Sequence, residues 1–201
     1  MGRFSTTVQI KDNVGRMKFI NSFCDVIKKR GFVPCSEDEA TLSYLLAFSD
    51  GGWVTLASEK YADNPKKAEE DAQKISAEMK TSGISVEVVD SDFAVLTLNG
   101  NDRVIVGDGS GYGIEDAPKG DKKLWEPLLA AGRTWEQLSE IWKKDEVFAE
   151  EALYCSAPVL GIEPEYMTAD YEELSGKAGG IRISPRCILR KLLKIKASLC
   201  P

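Results

Sequence analysis

Hydrophobic residues recur along this chain with two different spacings, which predict strands and helices in alternation. Residues 6–11 alternate between polar and apolar and are rich in β-branched side chains, which is typical of a strand. From about residue 14 to residue 30 the apolar positions fall at helical spacing. Asp12 or Asn13 is available to cap the start of this helix, and Gly31 follows its end. We therefore expect a strand followed by a helix.

Two β-hairpins are predicted by apolar runs on either side of short polar turns. Runs 41–48 and 53–57 flank Ser-Asp-Gly-Gly, and runs 93–98 and 103–106 flank Asn-Gly-Asn-Asp. Asx-Gly turns between apolar runs are a strong short-range indication of a hairpin. A further strand is expected at residues 84–89.

A second helix is predicted between the hairpins. Asn64 can cap it, Pro65 suits its first position, and Gly83 is expected to stop it. Its outer face, which includes the acidic run 69–71, is expected to be solvated. One apolar face is formed by Ala68, Ala72, Ile75 and Met79.

These elements predict an α+β fold with a mostly antiparallel sheet and two helices on one face. Segments 31–56 and 83–106 share one order: a glycine, an apolar stretch, an acidic link and two strands. This recurrence indicates either a degenerate α-β-β-β repeat or an ordinary meander. We assign residues 1–113 to this sheet domain.

The chain is predicted to be helical from residue 122 to residue 176, as a subdomain or lid on the sheet. Thr134 and Gln137 fit a capping box. A helix over 147–157 is expected to be ended by Pro158 and Gly161, and a short helix is expected to start at Thr168. Tryptophans at helical spacing here are typical of core anchors, although they can also line a groove.

Charge divides the chain sharply at residue 177. Residues 177–201 hold seven Lys or Arg and no acid, so residues 1–176 keep 19 cations against 32 acids, a formal charge of −13. The tail is predicted to be a basic amphipathic helix from residue 185. The tail can dock on the acidic body, exchange between chains, or contact membrane or nucleic acid. It can also be an altered or frameshifted C-terminal end without a role. Its candidate interaction residues are Arg186, Arg190, Lys191, Lys194 and Lys196.

The composition excludes several kinds of chemistry. The chain has no histidine, so Ser-His-Asp catalysis, Cys-His catalysis and His-ligated zinc are ruled out. The five cysteines form no Cys-x-x-Cys pair, and no apolar run is long enough to span a bilayer as a helix. We expect a cytoplasmic protein without a metal site, a cofactor or a catalytic residue set.

The glycine-rich segment 107–113 follows a predicted strand and gives the main candidate for ligand binding. A phosphate loop would need a helix directly after the glycines, and residues 114–122 contain a proline, a glycine and no apolar period. A flexible exit from the sheet is the simpler interpretation. The candidate ligand-binding residues are Asp108, Ser110, Tyr112 and Trp125.

Segments 5–11 (STTVQIK), 31–36 (GFVPCS) and 88–96 (VVDSDFAVL) resemble cytosolic proteins of Gram-positive bacteria. The resemblance covers about residues 4–174 and leaves out the tail. It implies an intracellular bacterial protein and implies neither an activity nor site residues.

Three functions are compatible with the sequence. The leading hypothesis is a non-catalytic module whose acidic body binds another protein, such as a basic one, in an immunity-like or regulatory role. The second is a histidine-independent enzyme that uses carboxylates or a bound cofactor near residues 107–113. The third is membrane or nucleic-acid association through the basic tail.

Overall fold

The structure is a computed structural model that describes residues 2–35, 42–112, 120–144, 148–175 and 179–184, with Pro34 and the last range described for the backbone alone. The strands are β1 (Ser5–Lys11), β2 (Val33–Pro34), β3 (Leu42–Ser49), β4 (Trp53–Ala57), β5 (Gly83–Val89), β6 (Phe93–Leu98), β7 (Asp102–Gly107) and β8 (Gly179–Ser184). The α-helices are α1 (Arg16–Lys29), α2 (Glu59–Asp63), α3 (Pro65–Met79), α4 (Lys122–Trp125), α5 (Trp135–Trp142), α6 (Ala149–Leu160), α7 (Pro164–Thr168) and α8 (Tyr171–Ser175). Short 3₁₀ turns cover Ser110–Tyr112 and Glu126–Leu128.

One antiparallel sheet organises the chain, in the order β2-β8-β3-β4-β1-β5-β6-β7. Both predicted hairpins are present, and Ser49 pairs with Trp53 while Leu98 pairs with Asp102. The strands of the second α-β-β-β segment, β5, β6 and β7, are neighbours in the sheet. In the first segment, β8 lies between β2 and β3. Residues 179–184, which the sequence placed in the tail, are therefore a strand of the sheet. The predicted helix from residue 185 lies outside the described residues.

Helices α1 and α3 pack on one face of the sheet, as predicted. The alternation of β1 directs Val8 and Ile10 toward these helices, and Val54 and Leu56 of β4 point the same way. Burial of such a continuous apolar surface is the main driving force for folding. This core also contains Phe19, Phe23, Val26 and Ile27 of α1, Ala68, Ala72 and Ile75 of α3, and Tyr44 and Leu46 of β3.

Later helices cover the opposite face, so the sheet lies between two helical layers. The core there joins β5, β6 and β7 to α4, α5 and α6, and buries Trp125 and Trp142. Trp53 on β4 donates its indole N–H to the Leu160 carbonyl over 2.7 Å, which ties this layer to the first hairpin. Trp125 and Trp142 are core anchors, whereas Trp135 is only partly buried against this core and lines a small pocket together with Trp142. The predicted α+β fold class is confirmed.

Several helix ends differ from the sequence prediction. Helix α1 begins at Arg16 because Asp12 accepts hydrogen bonds from the Val14 and Gly15 N–H groups and forms a turn first. Helix α6 continues through Pro158 and ends at Leu160, where Gly161 caps it in the left-handed conformation, as the sequence predicted for that glycine. Proline removes its own N–H bond and its ring crowds the carbonyl four residues earlier, and the packed apolar face of α6 offsets this cost.

Residue 168 also has a different role from the one predicted. Thr168 is the last residue of α7 and does not start a helix, and α8 begins three residues later at Tyr171. Among the described residues, no helix is long and apolar enough to cross a membrane.

The burial of Asp71 corrects the predicted solvated face of α3. The sequence placed residues 69–71 on the outer, solvated face of α3, but the Asp71 side chain is fully buried. Its position follows from helical spacing, because Asp71 lies three residues after Ala68 and four before Ile75, both in the core. An acidic residue on the apolar face needs partners, and Asp71 has four.

Gly83 was expected to stop α3, but the helix ends at Met79 with Lys80 in the left-handed conformation at φ 54°. Gly83 begins β5, where a Cβ would lie 2.6 Å from the Ala72 carbonyl oxygen. Its small size is therefore needed for helix α3 to approach the sheet.

We expect Gly83→Ala to lower the free energy of unfolding by roughly 1–3 kcal/mol, because the added methyl overpacks this contact. Chemical denaturation of the full chain measures the change. Gly111→Ala is the matched control, since nothing lies within 4 Å of a Cβ there, and it should change stability by less than about 0.5 kcal/mol. Equal stability of the two variants would contradict the packing argument.

Candidate functional site: an acidic and aromatic surface around the β5–β6 turn

The tight turn between β5 and β6 is the centre of the candidate site. Asp90 and Ser91 both have positive φ, 50° and 61°, and the Asp92 N–H donates to the Val89 carbonyl over 3.1 Å. Two successive left-handed residues are typical of a type I′ hairpin turn, and Asp accepts this conformation more readily than most residues. The turn thus holds two carboxylates at the end of the sheet.

Ser91 joins this turn to two distant parts of the chain. Its Oγ accepts from the Arg3 N–H and donates to Glu150 Oε1, each over 2.7 Å. Its own N–H donates to the Arg3 carbonyl over 3.0 Å, and its carbonyl accepts from the Ala149 N–H over 2.9 Å. The N-terminal segment and the start of α6 are therefore fixed against the turn.

Four exposed aromatic side chains are located around this turn. They are Phe4 (64% exposed), Tyr112 (49%), Phe148 (51%) and Tyr154 (55%). They make up four of the seven large hydrophobic side chains that are exposed among the described residues. Exposed aromatic residues in one region are typical of protein-binding surfaces.

The contacts of the aromatic residues account for their positions. Phe4 directly follows Arg3, and Phe148 directly precedes Ala149, the two residues whose backbones bond to Ser91. Tyr112 packs on Phe93 with ring centroids 4.9 Å apart. The fourth aromatic, Tyr154, lines a pocket of about 310 Å³ together with Arg3 and Glu173.

Carboxylates surround the same turn and give it a negative charge. Glu150 and Glu151 occupy the first turn of α6, where the helix dipole stabilises acidic side chains. Arg3, a cation near the turn, forms an ion pair with Glu173. We call this region the turn surface: Arg3, Phe4, Asp90, Asp92, Asp108, Tyr112, Phe148, Glu150, Glu151, Tyr154 and Glu173.

Two groups of the turn surface titrate away from their ordinary range. Partial burial and the negative charges of Asp90 and Asp92 raise the pKa of the Tyr112 phenol, which also hydrogen-bonds to Asp92. Hydrogen bonds from the Ser110 hydroxyl and N–H lower the pKa of Asp108. At neutral pH the surface therefore presents the ionised Asp108 carboxylate and the neutral Tyr112 phenol, which suits cationic groups.

The structure separates the four residues predicted for ligand binding. Asp108 lies next to the turn, since its N–H donates to the Asp92 carbonyl over 2.9 Å, and Ser110 and Tyr112 follow it on the surface. Trp125 is fully buried in the core on the opposite face of the sheet from Phe93 and Tyr112. It donates its indole N–H to Asp102.

The predicted basic interaction residues lie outside the described residues: Arg186, Arg190, Lys191, Lys194 and Lys196. The last residue of the glycine-rich segment, Gly113, also lies outside them. Within the part of the chain that the structure describes, no three Cys, Asp or Glu side chains are grouped to hold a metal ion.

The chain matches no protein-family model, and neither curated proteins nor solved structures gave a match to it.

Sequence analysis did not identify the turn surface, because its parts are distant in the chain. Arg3 and Ser91 are 88 positions apart, and Ser91 and Glu150 are 59 positions apart. The available indication was local: Asp-Ser-Asp at 90–92 predicts a tight turn, and Phe148 is apolar just before an acidic helix start. Neither observation indicates that the turn and the start of α6 are close in space, which only the fold shows.

Proposed function

We propose that this protein is a non-catalytic binding module that recognises a basic protein partner through the turn surface. One observation carries the proposal: four exposed aromatic side chains, six carboxylates and one arginine lie on segments that meet at one hydrogen-bonded turn. Aromatic side chains supply most binding energy at protein interfaces, and complementary charge increases the association rate and specificity. An immunity-like or regulatory role fits such a module.

The rigidity of the turn supports a binding role. Both sides of Ser91 are fixed by backbone bonds to residues near the N-terminus and at the start of α6. A surface that is already ordered loses little conformational entropy when it binds. Glu150 Oε2 is buried without a hydrogen-bond partner among the described residues.

Affinity capture with the full chain tests the proposal. The immobilised protein is exposed to lysate of the source cells at low salt and at high salt. We expect it to retain a protein with a basic surface at low salt and to retain less at high salt, because screening weakens charge steering.

A matched pair of variants tests whether the turn surface is responsible. Asp90→Asn, Asp92→Asn and Glu151→Gln together remove three of its charges, and the combination should weaken capture by roughly tenfold or more. The control removes three exposed charges elsewhere, through Glu59→Gln, Glu140→Gln and Glu163→Gln. Equal losses in the two variants, or no specific partner at low salt, would argue against the proposal.

A further inference from the structure

The strands β5, β6 and β7 leave part of the first sheet face uncovered beside α3. Their alternation places Ser85, Glu87, Thr97 and Arg103 on this face, whereas the opposite face is packed by α4–α6. A groove of about 400 Å³ lies between these strands, which form its floor, and the N-terminal end of α3, which forms its wall. The floor of this groove is polar, which is unusual for the middle of a sheet.

Two hydroxyl groups in this floor are open to the groove. Ser85 is 7% exposed and Thr97 is 5% exposed, and both line the groove. Neither hydroxyl bonds to any residue that the structure describes, and neither oxygen is itself buried, so both are accessible from the groove. An accessible hydroxyl on a groove floor can donate a hydrogen bond to a bound molecule or accept one from it.

Charges of both signs face the groove: Glu87 and Arg103 attract each other, and Glu69, Asp63 and Lys66 line its helix side. Neither Glu87 nor Arg103 forms a hydrogen bond or salt bridge within the described ranges. Burial raises the pKa of Glu87, and the negative charge of Glu69 on α3 adds to this, while Arg103 opposes it. Glu87 is therefore close to Glu69 on the helix side of the groove. Arg103 is on the outer strand β7, at the other side.

We propose that this groove binds a small zwitterion of the α-amino acid class. The ammonium group would lie between Glu69 and Glu87, where its charge offsets the repulsion between the two carboxylates. The carboxylate would accept hydrogen bonds from Arg103 and from the Thr97 hydroxyl. A ligand with a single charge would leave one side of the groove unpaired, and the groove volume suits a molecule of this size. This site is independent of the turn surface and of the proposed function.

Ligand-observed NMR with the full chain tests the proposal against the twenty free L-amino acids. Two matched sets are tested with them: amino acid amides, which lack the carboxylate, and N-acetyl amino acids, which lack the ammonium. We expect one or a few free amino acids to bind and their blocked forms to bind roughly tenfold more weakly or worse, because each loses a charged hydrogen bond. Absence of binding by all twenty, or equal binding of the blocked forms, would overturn the proposal.

Variants of the two charged residues locate the binding site. Glu87→Gln and Arg103→Gln should each weaken binding of the selected amino acid by roughly tenfold, measured by calorimetry. The control pair, Glu140→Gln and Arg133→Gln, lies on exposed positions and should leave the affinity unchanged. Unchanged affinity in both groove variants would refute this location even if an amino acid binds.

The pH dependence of its stability shows whether Glu87→Gln is folded. The pKa of Glu87 is raised in the folded protein, so its stabilising contribution is present below the unfolded pKa and is lost as pH rises through the folded pKa. Glu87→Gln should therefore melt no lower than the wild type at pH 7, and its relative advantage should shrink toward pH 4. A loss of ligand binding in this variant then cannot be attributed to unfolding.

Discussion

Replacing Asp71 with Asn should lower the free energy of unfolding by about 3–5 kcal/mol, the cost of breaking a buried ion pair. Asp71 Oδ1 accepts from Arg30 over 2.9 Å and from Lys67 over 2.7 Å, and Oδ2 accepts from Tyr44 over 2.8 Å and from Tyr61 over 3.1 Å. These contacts join α1, α2, α3 and β3. Without the carboxylate, the largely buried Arg30 side chain has no anionic partner in this cluster.

The two tyrosines of this cluster stay protonated at ordinary pH. Burial, followed by the negative charge of Asp71, raises the pKa of Tyr44 and of Tyr61 far above the usual range. Both phenols therefore remain donors, and Tyr44→Phe should cost only about 1 kcal/mol because it removes a single hydrogen bond. Lys67 is about one-third exposed, so its contribution is reduced by solvent screening.

Thermal and chemical denaturation measure the effect of Asp71→Asn. A protein of this size should lose roughly 6–20 °C in melting temperature for that change in free energy. The matched control is Asp25→Asn, which alters an exposed pair with Lys28 and should change stability by less than about 0.5 kcal/mol. A loss below about 1 kcal/mol in Asp71→Asn would mean that Arg30 finds another partner or water.

The second large effect is expected at Trp125, which the sequence grouped with Tyr112 as a ligand-binding candidate. Trp125→Ala should cost about 3–5 kcal/mol, because the indole is fully buried and packs edge-on against Trp142 at 4.9 Å. Tyr112→Ala should cost only about 1 kcal/mol, since that ring is half exposed and loses one aromatic contact.

Trp125→Phe separates packing from hydrogen bonding at this position. It keeps an aromatic ring but removes the N–H that donates to Asp102. Its stability should lie between the wild type and Trp125→Ala in denaturant titrations. If Trp125→Ala were as stable as the wild type, the position of the indole in the core would be refuted and a role in ligand binding would regain support.

Local sequence patterns predicted much of the sheet. Strand alternation and Asx-Gly turns identified both hairpins, and Asn99 and Gly100 do adopt the positive φ, 50° and 72°, that a type I′ turn requires. The capping box was also found, with Thr134 and Gln137 bonded to each other's backbone N–H groups. These features depend on residues close together in the chain.

Features that depend on distant contacts could not be predicted from the same patterns. Strand β8 is recognised by its pairing with β2 and β3, and its compositional contrast with the body suggested an appendage instead. The burial of Asp71 depends on partners from three other elements. The turn surface depends on how α6 and the N-terminal segment meet at Ser91, and the groove depends on where α3 diverges from the outer strands.

Hydrogen exchange on the complex with the captured partner is the most direct test of the turn surface. We expect slower exchange in three segments on binding: 89–92, 108–112 and 148–154. Segment 16–29 on α1 belongs neither to the turn surface nor to the groove and should be unchanged. Slower exchange confined to segments outside the turn surface would contradict its assignment as the binding surface.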